Sequence, residues 1–316
     1  MRCGRIVALS ITLTILFTAL SPAQQNIPPE WGEAFDYKPG ENVRVEKDIV
    51  YARYGDRELK LDLYLPKQSS KAVPVIIVIR GGGWIAGDKE GFGRFAAYMA
   101  ERGLAAACIE YRTSNEAAFP AAVHDIKAAV RWARAHASEY GIDGAAIGAF
   151  GGSAGAHLAM MLAASHKAKD LEGDGGNPGV SSRIQACVAM ATPTDFTSLH
   201  QTYRQQPGEL PKNLLKIEEK FLGAALSENP EVFKKASPVT YVDKDSPPAL
   251  LMNSVADPVV PFAQSIQLLE KYNECGAYAE CRLITGAPHA FWNFTAWAYD
   301  EMDRTVAFFK KHMMGQ

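Results

Sequence analysis

Apolar residues in the chain fall into short unbroken runs, separated by longer segments with helical periodicity. An unbroken apolar run indicates a strand that is buried on both faces, as in a parallel sheet with helices on each side. The pattern therefore predicts a doubly wound α/β fold with a mostly parallel sheet. The predicted core strands are residues 73–79, 104–111, 145–150, 184–190, 248–254 and 280–285.

Two runs of alternating polar and apolar residues precede these strands and flank Gly55 and Asp56. Alternation with a period of two on both sides of a short turn is typical of an antiparallel hairpin. The second run ends at Pro66. We expect this N-terminal hairpin to form one edge of the sheet.

One helix is predicted between residues 120 and 141, where apolar side chains recur at helical spacing and Gly141 provides a stop signal. We expect the charged residues of this helix to face water. The apolar positions are Val123, Ile126, Val130, Ala133 and Ala137.

Residues 192–245 interrupt the alternation of strands and helices with a polar loop and a further helical segment. We interpret them as a small, cap-like insertion over the carboxyl edge of the sheet, the edge at which α/β folds carry their sites. No break in composition divides the remaining chain, so we predict one α/β domain over residues 45–316. An irregular leader, residues 24–44, is rich in turn-forming residues and precedes it.

The N-terminal segment has the features of an export signal. Two arginines precede an apolar run over residues 6–20, and small residues follow at 21–23. The run is shorter than the roughly 20 residues that span a bilayer. We therefore predict a signal peptide over residues 1–23, a secreted or periplasmic protein, and no stable membrane insertion after cleavage. The alternative is an uncleaved N-terminal anchor.

Composition and charge narrow the class of protein. With 316 residues, 47% of them hydrophobic and 22% charged, the chain is typical of a globular protein. Its formal net charge is −2 and it contains no basic block. Nucleic acid is therefore not an expected partner.

The cysteines predict no metal site, because they form no CxxC pair and have no histidine partner. Cys108 and Cys187 lie in apolar runs, where a free thiol behaves as a small hydrophobic side chain. Cys275 and Cys281 lie close in sequence and flank a glycine. In an exported protein they could form a local disulfide, or they could remain two free surface thiols.

A serine between glycines, in the stretch AFGGSAGAHLA, is the first candidate for chemistry. Ser153 follows a predicted buried strand and precedes a helical segment, which is the context of the nucleophile elbow in α/β hydrolases. In that sharp turn Gly151 and Gly155 avoid a clash and leave the serine hydroxyl exposed. The N-terminus of the following helix favours a developing negative charge.

A serine nucleophile needs a base, and the base needs an orienting carboxylate. In this fold the order along the chain is serine, acid, histidine. Asp257 and His289 each follow a predicted strand in that order. The alternative for Asp257 is a turn or helix cap before proline, and His289 could be an ordinary loop residue. We expect His157, one helical turn past Ser153, to pack or hydrogen-bond locally.

A glycine run follows the first predicted core strand, in VIIVIRGGGWIAGDK. Acyl transfer requires N–H donors for the oxyanion of the tetrahedral intermediate. We assign the oxyanion hole to Gly82 and Gly83, completed by the N–H of Ala154. The alternative is a plain glycine-rich turn. A nucleotide loop is excluded because the GxGxxG and GK[ST] patterns are absent.

Several motifs together resemble the esterase branch of the α/β-hydrolase fold, and in particular the bifunctional feruloyl and acetyl-xylan esterase-like proteins, neighbours of the hormone-sensitive-lipase group. The resemblance covers about residues 45–313 and rests on RGGGWIAGDK, GGSAGAHLA, FPAAVHDIKAAVRWAR, ADPVVPF and PHAFWNF. It implies a carboxylic ester hydrolase with Ser153, Asp257 and His289 as its triad. Such proteins usually have histidine where this chain has Arg80. For Arg80 we expect a structural ion pair, the alternative being contact with an acidic group of the substrate.

The resulting expectation is a serine esterase that removes acetyl or other small acyl groups. Its substrate would be a small-molecule or polysaccharide-linked ester, and no metal or organic cofactor is needed. Trp84, Phe291 and Trp292 could line the acyl or sugar pocket or belong to the core. An amidase or peptidase, similar to formamidases or prolyl oligopeptidases, would use the same triad. A non-catalytic binding protein on this scaffold would have a broken one.

Overall fold

The computed structural model describes residues 27–69 and 71–315. One eight-stranded sheet runs through this part of the chain, in the order β1-β2-β4-β3-β5-β6-β7-β8. The strands are β1 (Val43–Tyr54), β2 (Arg57–Pro66), β3 (Val73–Ile79), β4 (Ala105–Ile109), β5 (Ile142–Gly152), β6 (Ala186–Met190), β7 (Ala249–Ser254) and β8 (Ala279–Ile284). The predicted signal peptide lies outside the described residues.

The described helices are α1 (Gly93–Glu101), α2 (Ala121–Ala135), α3 (Ala137–Tyr140), α4 (Ala154–Ala164), α5 (Phe196–Gln205), α6 (Glu209–Leu222), α7 (Pro230–Ala236), α8 (Ala263–Cys275) and α9 (Thr295–Met314). Among these helices, none combines the length and the apolar character needed to cross a bilayer.

The doubly wound arrangement that the sequence predicts is confirmed. Strands β3 to β8 pair in parallel, whereas β2 is antiparallel to both β1 and β4. All seven residues of β3 are buried, and those from Val75 to Ile79 alternate between two apolar clusters. One cluster contains side chains of α2 and α4, and the other contains side chains of α1 and α9. The unbroken apolar runs therefore reflect helices on both faces of the sheet.

The N-terminal hairpin also forms where it is predicted, with Gly55 at a φ of 58° in its turn. At the opposite edge, β8 occupies almost the predicted residues but is largely exposed. An edge strand has one neighbour instead of two, which explains why this run is not buried on both faces.

The expectation that the charged residues of the predicted helix face water is wrong for Asp125, Lys127 and Arg131, which are buried in α2. Asp125 binds the guanidinium of Arg112, with an Nη2–Oδ1 distance of 2.7 Å. Lys127 and Arg131 both bind the carboxylate of Glu172, at 3.1 Å and 2.8 Å. These partners come from distant segments, so the helical pattern alone cannot indicate them.

The segment predicted to be an insertion, residues 192–245, contains α5, α6 and α7. It is linked to the loop after β7 by the Tyr203 hydroxyl, which donates to the Val259 carbonyl at 2.6 Å. In the leader, Pro29–Trp31 forms a 3₁₀ turn and Ala34 makes an isolated bridge with Phe294. The described part of the leader is thus tied to the segment that precedes α9.

Candidate active site

Ser153 occupies the junction between β5 and α4, with backbone angles φ 55° and ψ −123°. A positive φ is uncommon for a residue with a side chain and stores strain at the turn. The neighbouring glycines permit this turn. A Cβ on Gly151 would lie 2.3 Å from the Gly155 carbonyl oxygen, and a Cβ on Gly155 would lie 2.1 Å from the Ile79 carbonyl oxygen. Any larger residue at either position would collide with backbone.

Ser153, His289 and Asp257 form one hydrogen-bonded chain across 136 residues of sequence. The Ser153 Oγ lies 3.1 Å from His289 Nε2, and His289 Nδ1 lies 2.7 Å from Asp257 Oδ2. The carboxylate accepts from Nδ1–H, which leaves Nε2 free to accept the serine proton. The structure therefore brings together the three residues that the sequence nominated.

The side chain of Asp257 is fully buried, whereas that of His289 is 13% exposed. The second carboxylate oxygen, Oδ1, accepts the backbone N–H groups of Val259 at 2.8 Å and Val260 at 2.9 Å. These bonds fix the carboxylate behind the imidazole ring. Ala290 follows the histidine in the left-handed region, with φ 59°, and precedes the 3₁₀ turn Phe291–Asn293.

The three side chains are arranged for nucleophilic attack by the serine with the imidazole as its base. As the serine oxygen attacks an acyl carbon, the imidazole can take its proton and the buried carboxylate can stabilise the resulting imidazolium. The same imidazole can then return the proton to a leaving group. The arrangement is suited to acyl transfer through a covalent intermediate.

The glycine loop after β3 lies against the nucleophile turn. A Cβ on Gly81 would lie 2.8 Å from the Gly152 carbonyl oxygen and 3.5 Å from the Cβ of Ser153. Within the part of the chain that the structure describes, the N–H groups of Gly82, Gly83 and Ala154 donate to no protein group. The nominated oxyanion donors are thus free, on two segments that meet at Ser153.

The predicted ion pair of Arg80 is wrong. Its side chain is 5% exposed, and Nη1 donates to the Gly81 carbonyl at 3.2 Å, to the Ala86 carbonyl and to the Tyr111 hydroxyl at 3.2 Å. The guanidinium carbon also lies 4.2 Å above the Tyr111 ring. Neutral oxygens and an aromatic face therefore take the place of the expected carboxylate. Burial of the side chain also disfavours the alternative, contact with a substrate.

The structure does not support a pocket lined by Trp84, Phe291 and Trp292. Phe291 is fully buried, and Trp84 and Trp292 are only 6% and 3% exposed. The Trp292 ring lies beneath the turn, 2.8 Å from where a Cβ on Gly152 would be. It also makes an edge contact with His289, at 5.7 Å between ring centroids. These aromatic side chains support the site from inside the core.

Trp84 and His157 form a contact that the sequence did not reveal. The Trp84 indole N–H donates to His157 Nδ1 at 3.1 Å, and His157 Nε2 lies 2.8 Å from the carbonyl oxygen of Ala236, at the end of α7. Burial lowers the pKa of His157 to about 4, so its ring is neutral near pH 7. His157 packs in the core, which agrees with one part of the expectation, but its hydrogen bonds are not local, because both partners are distant in sequence.

Four cysteines lie in the described residues, two of them in the core and two nearer the surface. Cys108 and Cys187 are buried, and burial raises the pKa of each thiol. Cys275 and Cys281 are free thiols in this structure rather than a disulfide. In residues 27–69 and 71–315, no group of three or more His, Cys, Asp or Glu side chains is arranged to hold a metal ion.

A mostly parallel eight-stranded sheet, with a serine turn after β5, an acid after β7 and a histidine after β8, defines an α/β hydrolase. Within this class the chain belongs to the BD-FAE family, whose model matches residues 61–272.

Curated relatives and solved structures agree with this assignment. Esterase LipQ of Mycobacterium tuberculosis is 32% identical over 251 residues, which cover 77% of this chain and 56% of that protein. Isoprenylcysteine alpha-carbonyl methylesterase ICME of Arabidopsis thaliana is 28% identical, over 78% of this chain and 56% of that protein. The chain thus spans a little over half the length of these relatives.

Two solved structures resemble most of the chain. One is a truncated carbohydrate esterase from gut microbiota, with a TM-score of 0.75, 30% identity, and coverage of 87% of this chain and 99% of that one. The other is a thermophilic esterase from Thermogutta terrifontis, with a TM-score of 0.69, 27% identity, and coverage of 86% and 94%. The same Thermogutta esterase has also been solved phosphonylated by sarin.

Proposed function

We propose that the protein is a serine carboxylic ester hydrolase that removes acetyl or other small acyl groups. The observation that carries the proposal is the hydrogen-bonded chain from Ser153 through His289 to the buried Asp257. The esterases among its relatives and structural neighbours support the same reaction.

In the proposed first step, Ser153 Oγ attacks the acyl carbon while His289 Nε2 takes the hydroxyl proton. The carbonyl oxygen becomes an oxyanion, which the N–H groups of Gly82, Gly83 and Ala154 bind. His289 then gives its proton to the leaving alcohol as the carbon–oxygen bond breaks. An acyl-enzyme ester on Ser153 remains.

In the second step a water molecule attacks the acyl carbon, and His289 takes a proton from that water. A second oxyanion forms in the same hole and collapses to release the carboxylic acid, while the proton returns to Ser153 Oγ. Asp257 holds the imidazole in one orientation through both steps. Every proton that moves is carried by His289.

We propose a polysaccharide- or oligosaccharide-linked ester as the natural substrate, and a secreted or periplasmic location. The carbohydrate-linked substrate is supported by the structural similarity to a carbohydrate esterase, which covers 99% of that esterase. The secreted or periplasmic location is supported by the apolar run and small residues at the N-terminus. An exported enzyme would meet polysaccharide outside the cytoplasm, so the two parts agree.

The test compares hydrolysis of p-nitrophenyl acetate, p-nitrophenyl butyrate and methyl ferulate by the wild type and by Ser153→Ala. We expect wild-type turnover to fall at least about 10³-fold in the variant. Ser165→Ala is a matched control, because Ser165 is a buried serine one residue past the other end of α4, bonded to the Met161 carbonyl at 2.6 Å. Wild-type rates in Ser153→Ala would contradict the proposal.

Two further kinds of substrate test the preference for esters over amides and the preference for carbohydrate-linked esters. Aryl formamides or dipeptides cleaved faster than esters would replace the esterase with an amidase or peptidase. Release of acetate from acetylated xylan or its oligosaccharides would support the carbohydrate substrate. Activity on p-nitrophenyl acetate without such release would contradict that part alone.

A further inference from the structure

Arg80 occupies the junction between β3 and the glycine loop, where its backbone contacts the nucleophile turn. A Cβ on Gly155 would lie 2.6 Å from the Arg80 carbonyl oxygen. Its side chain turns back beneath the loop and is almost fully buried. The residue therefore lies directly behind both parts of the proposed oxyanion hole.

One nitrogen of the guanidinium joins the two ends of the loop. Nη1 donates to the carbonyl of Gly81, which precedes the turn, and to that of Ala86, which ends it. The turn between them is closed by the Ile85 and Ala86 N–H groups, which both donate to the Gly82 carbonyl at 3.1 Å. The Tyr111 hydroxyl and ring fix the guanidinium from the other side.

The loop conformation needs such support. Gly82, Gly83 and Trp84 have φ values of 111°, 57° and 60°, three consecutive residues with positive φ. A tryptophan in this region is strained, and strained backbone persists only where its surroundings hold it in place. The orientation of the Gly82 and Gly83 N–H groups depends on these same angles.

We propose that Arg80 is a positioning residue of the oxyanion hole, which holds the turn from Gly81 to Ala86 so that the Gly82 and Gly83 N–H groups stay directed at the oxyanion. The inference rests on the proposed esterase reaction. Donors that bind the oxyanion stabilise the transition state more than the bound substrate. Loss of Arg80 should therefore lower kcat more than it changes KM.

The test is steady-state kinetics of Arg80→Met and Arg80→Lys with p-nitrophenyl acetate. For Arg80→Met we expect kcat to fall about 10²-fold, comparable to the loss of one oxyanion donor, with KM changed less than about threefold. Arg80→Lys keeps one donor without the planar fork, and we expect about a tenfold loss. Affinity for a trifluoromethyl ketone, which forms an oxyanion when Ser153 adds to it, should fall in proportion to kcat/KM.

Arg131→Met is the matched control. Arg131 is equally buried and donates to two backbone carbonyls of another loop, those of Glu172 at 2.9 Å and Gly175 at 2.6 Å. That loop contains none of the site residues. We expect this variant to lose thermal stability but to keep kcat within about twofold of the wild type.

The outcomes distinguish the two proposals. If the wild type hydrolyses none of the esters, the proposed function fails. If the wild type is active and Arg80→Met retains kcat as fully as Arg131→Met does, the positioning role is overturned. Should Arg80→Met not fold, Tyr111→Phe removes a hydroxyl that accepts from the guanidinium at 3.2 Å and donates to the Arg80 carbonyl at 3.3 Å, and so loosens both parts of Arg80 without changing its side chain. A severalfold loss of kcat at constant KM in Tyr111→Phe and Arg80→Lys would then support the role, and unchanged kcat in both would refute it.

Discussion

His157 makes the stability of the protein depend on pH in a way that can be worked out from its contacts. In the folded chain its ring is buried, with Nδ1 accepting from Trp84 and Nε2 facing the Ala236 carbonyl. Burial lowers the pKa of the ring to about 4, whereas an unfolded histidine has a pKa of about 6.5. Protonation of Nδ1 would also place two donors, Nδ1–H and the indole N–H, against each other.

The sign of the effect follows from proton binding. Between pH 6.5 and pH 4 the unfolded chain binds a proton at His157 that the folded chain does not, so the free energy of unfolding falls as the pH falls through this window. The lowering of the pKa from 6.5 to about 4 corresponds to about 3 kcal/mol in total. About 2 kcal/mol of that is lost between pH 7 and pH 5.

The assay is urea unfolding of the wild type, His157→Gln and His157→Leu at pH 7 and pH 5. Other groups titrate in the same window, so the quantity to compare is the difference in unfolding free energy between wild type and variant. Glutamine offers one acceptor and one donor, whereas leucine leaves Trp84 and Ala236 without partners, which costs about 1–3 kcal/mol for each. We expect His157→Leu to be the less stable variant at pH 7.

Both variants lack the titrating ring, so both should gain about 2 kcal/mol relative to the wild type when the pH is lowered from 7 to 5. The two substitutions differ in hydrogen bonding, but the change in their stability relative to the wild type between pH 7 and pH 5 should be the same. A wild type and variants whose stabilities fall in parallel over this range would refute the reasoning, because His157 would then bind its proton equally in both states.

Three further predictions concern the triad and two buried polar contacts outside it. Asp257→Asn should lower kcat about 10³- to 10⁴-fold with an unchanged circular dichroism spectrum, because the imidazole loses the acceptor that fixes its tautomer; loss of the folded spectrum would contradict this. Tyr203→Phe leaves the buried Val259 carbonyl without its donor and should lower the free energy of unfolding by about 1–2 kcal/mol in urea; no loss would contradict the importance of this link. Lys89→Met leaves the buried Asp62 carboxylate without the ammonium 2.9 Å away and should cost about 3 kcal/mol, much of it recovered by adding Asp62→Leu; a double variant as unstable as the single one would refute this explanation.

The elements that the sequence predicts well are those with local signals. An apolar run such as residues 73–79 can be buried on both faces only in the middle of a covered sheet, and β3 occupies the same residues. The serine turn has a local sequence signal as well, the glycines on either side of Ser153, although Gly155 is required by the carbonyl of Ile79 at the end of β3. Asp257 and His289 could be nominated because the fold fixes the edge at which strands β7 and β8 end.

The features that sequence reasoning missed depend on partners that meet only in the folded chain. Lys127 and Arg131 resemble solvated helix residues until Glu172, from a later loop, covers them. From the sequence alone Arg80 is expected to form an ion pair, because no residue near it in the sequence indicates that its guanidinium packs on the ring of Tyr111. Trp84 follows the glycine loop and looks available to a ligand, but His157 binds its indole.

Covalent labelling shows whether Ser153 is a nucleophile activated by His289 and Asp257. The wild type, Ser153→Ala and His289→Ala are treated with a p-nitrophenyl alkylphosphonate, and the labelled peptide is identified by mass spectrometry. We expect one phosphonyl group per chain on Ser153 in the wild type, none in Ser153→Ala, and labelling slowed at least about 10²-fold in His289→Ala. A phosphonyl group on another residue, or equal labelling of the wild type and His289→Ala, would contradict this role of Ser153.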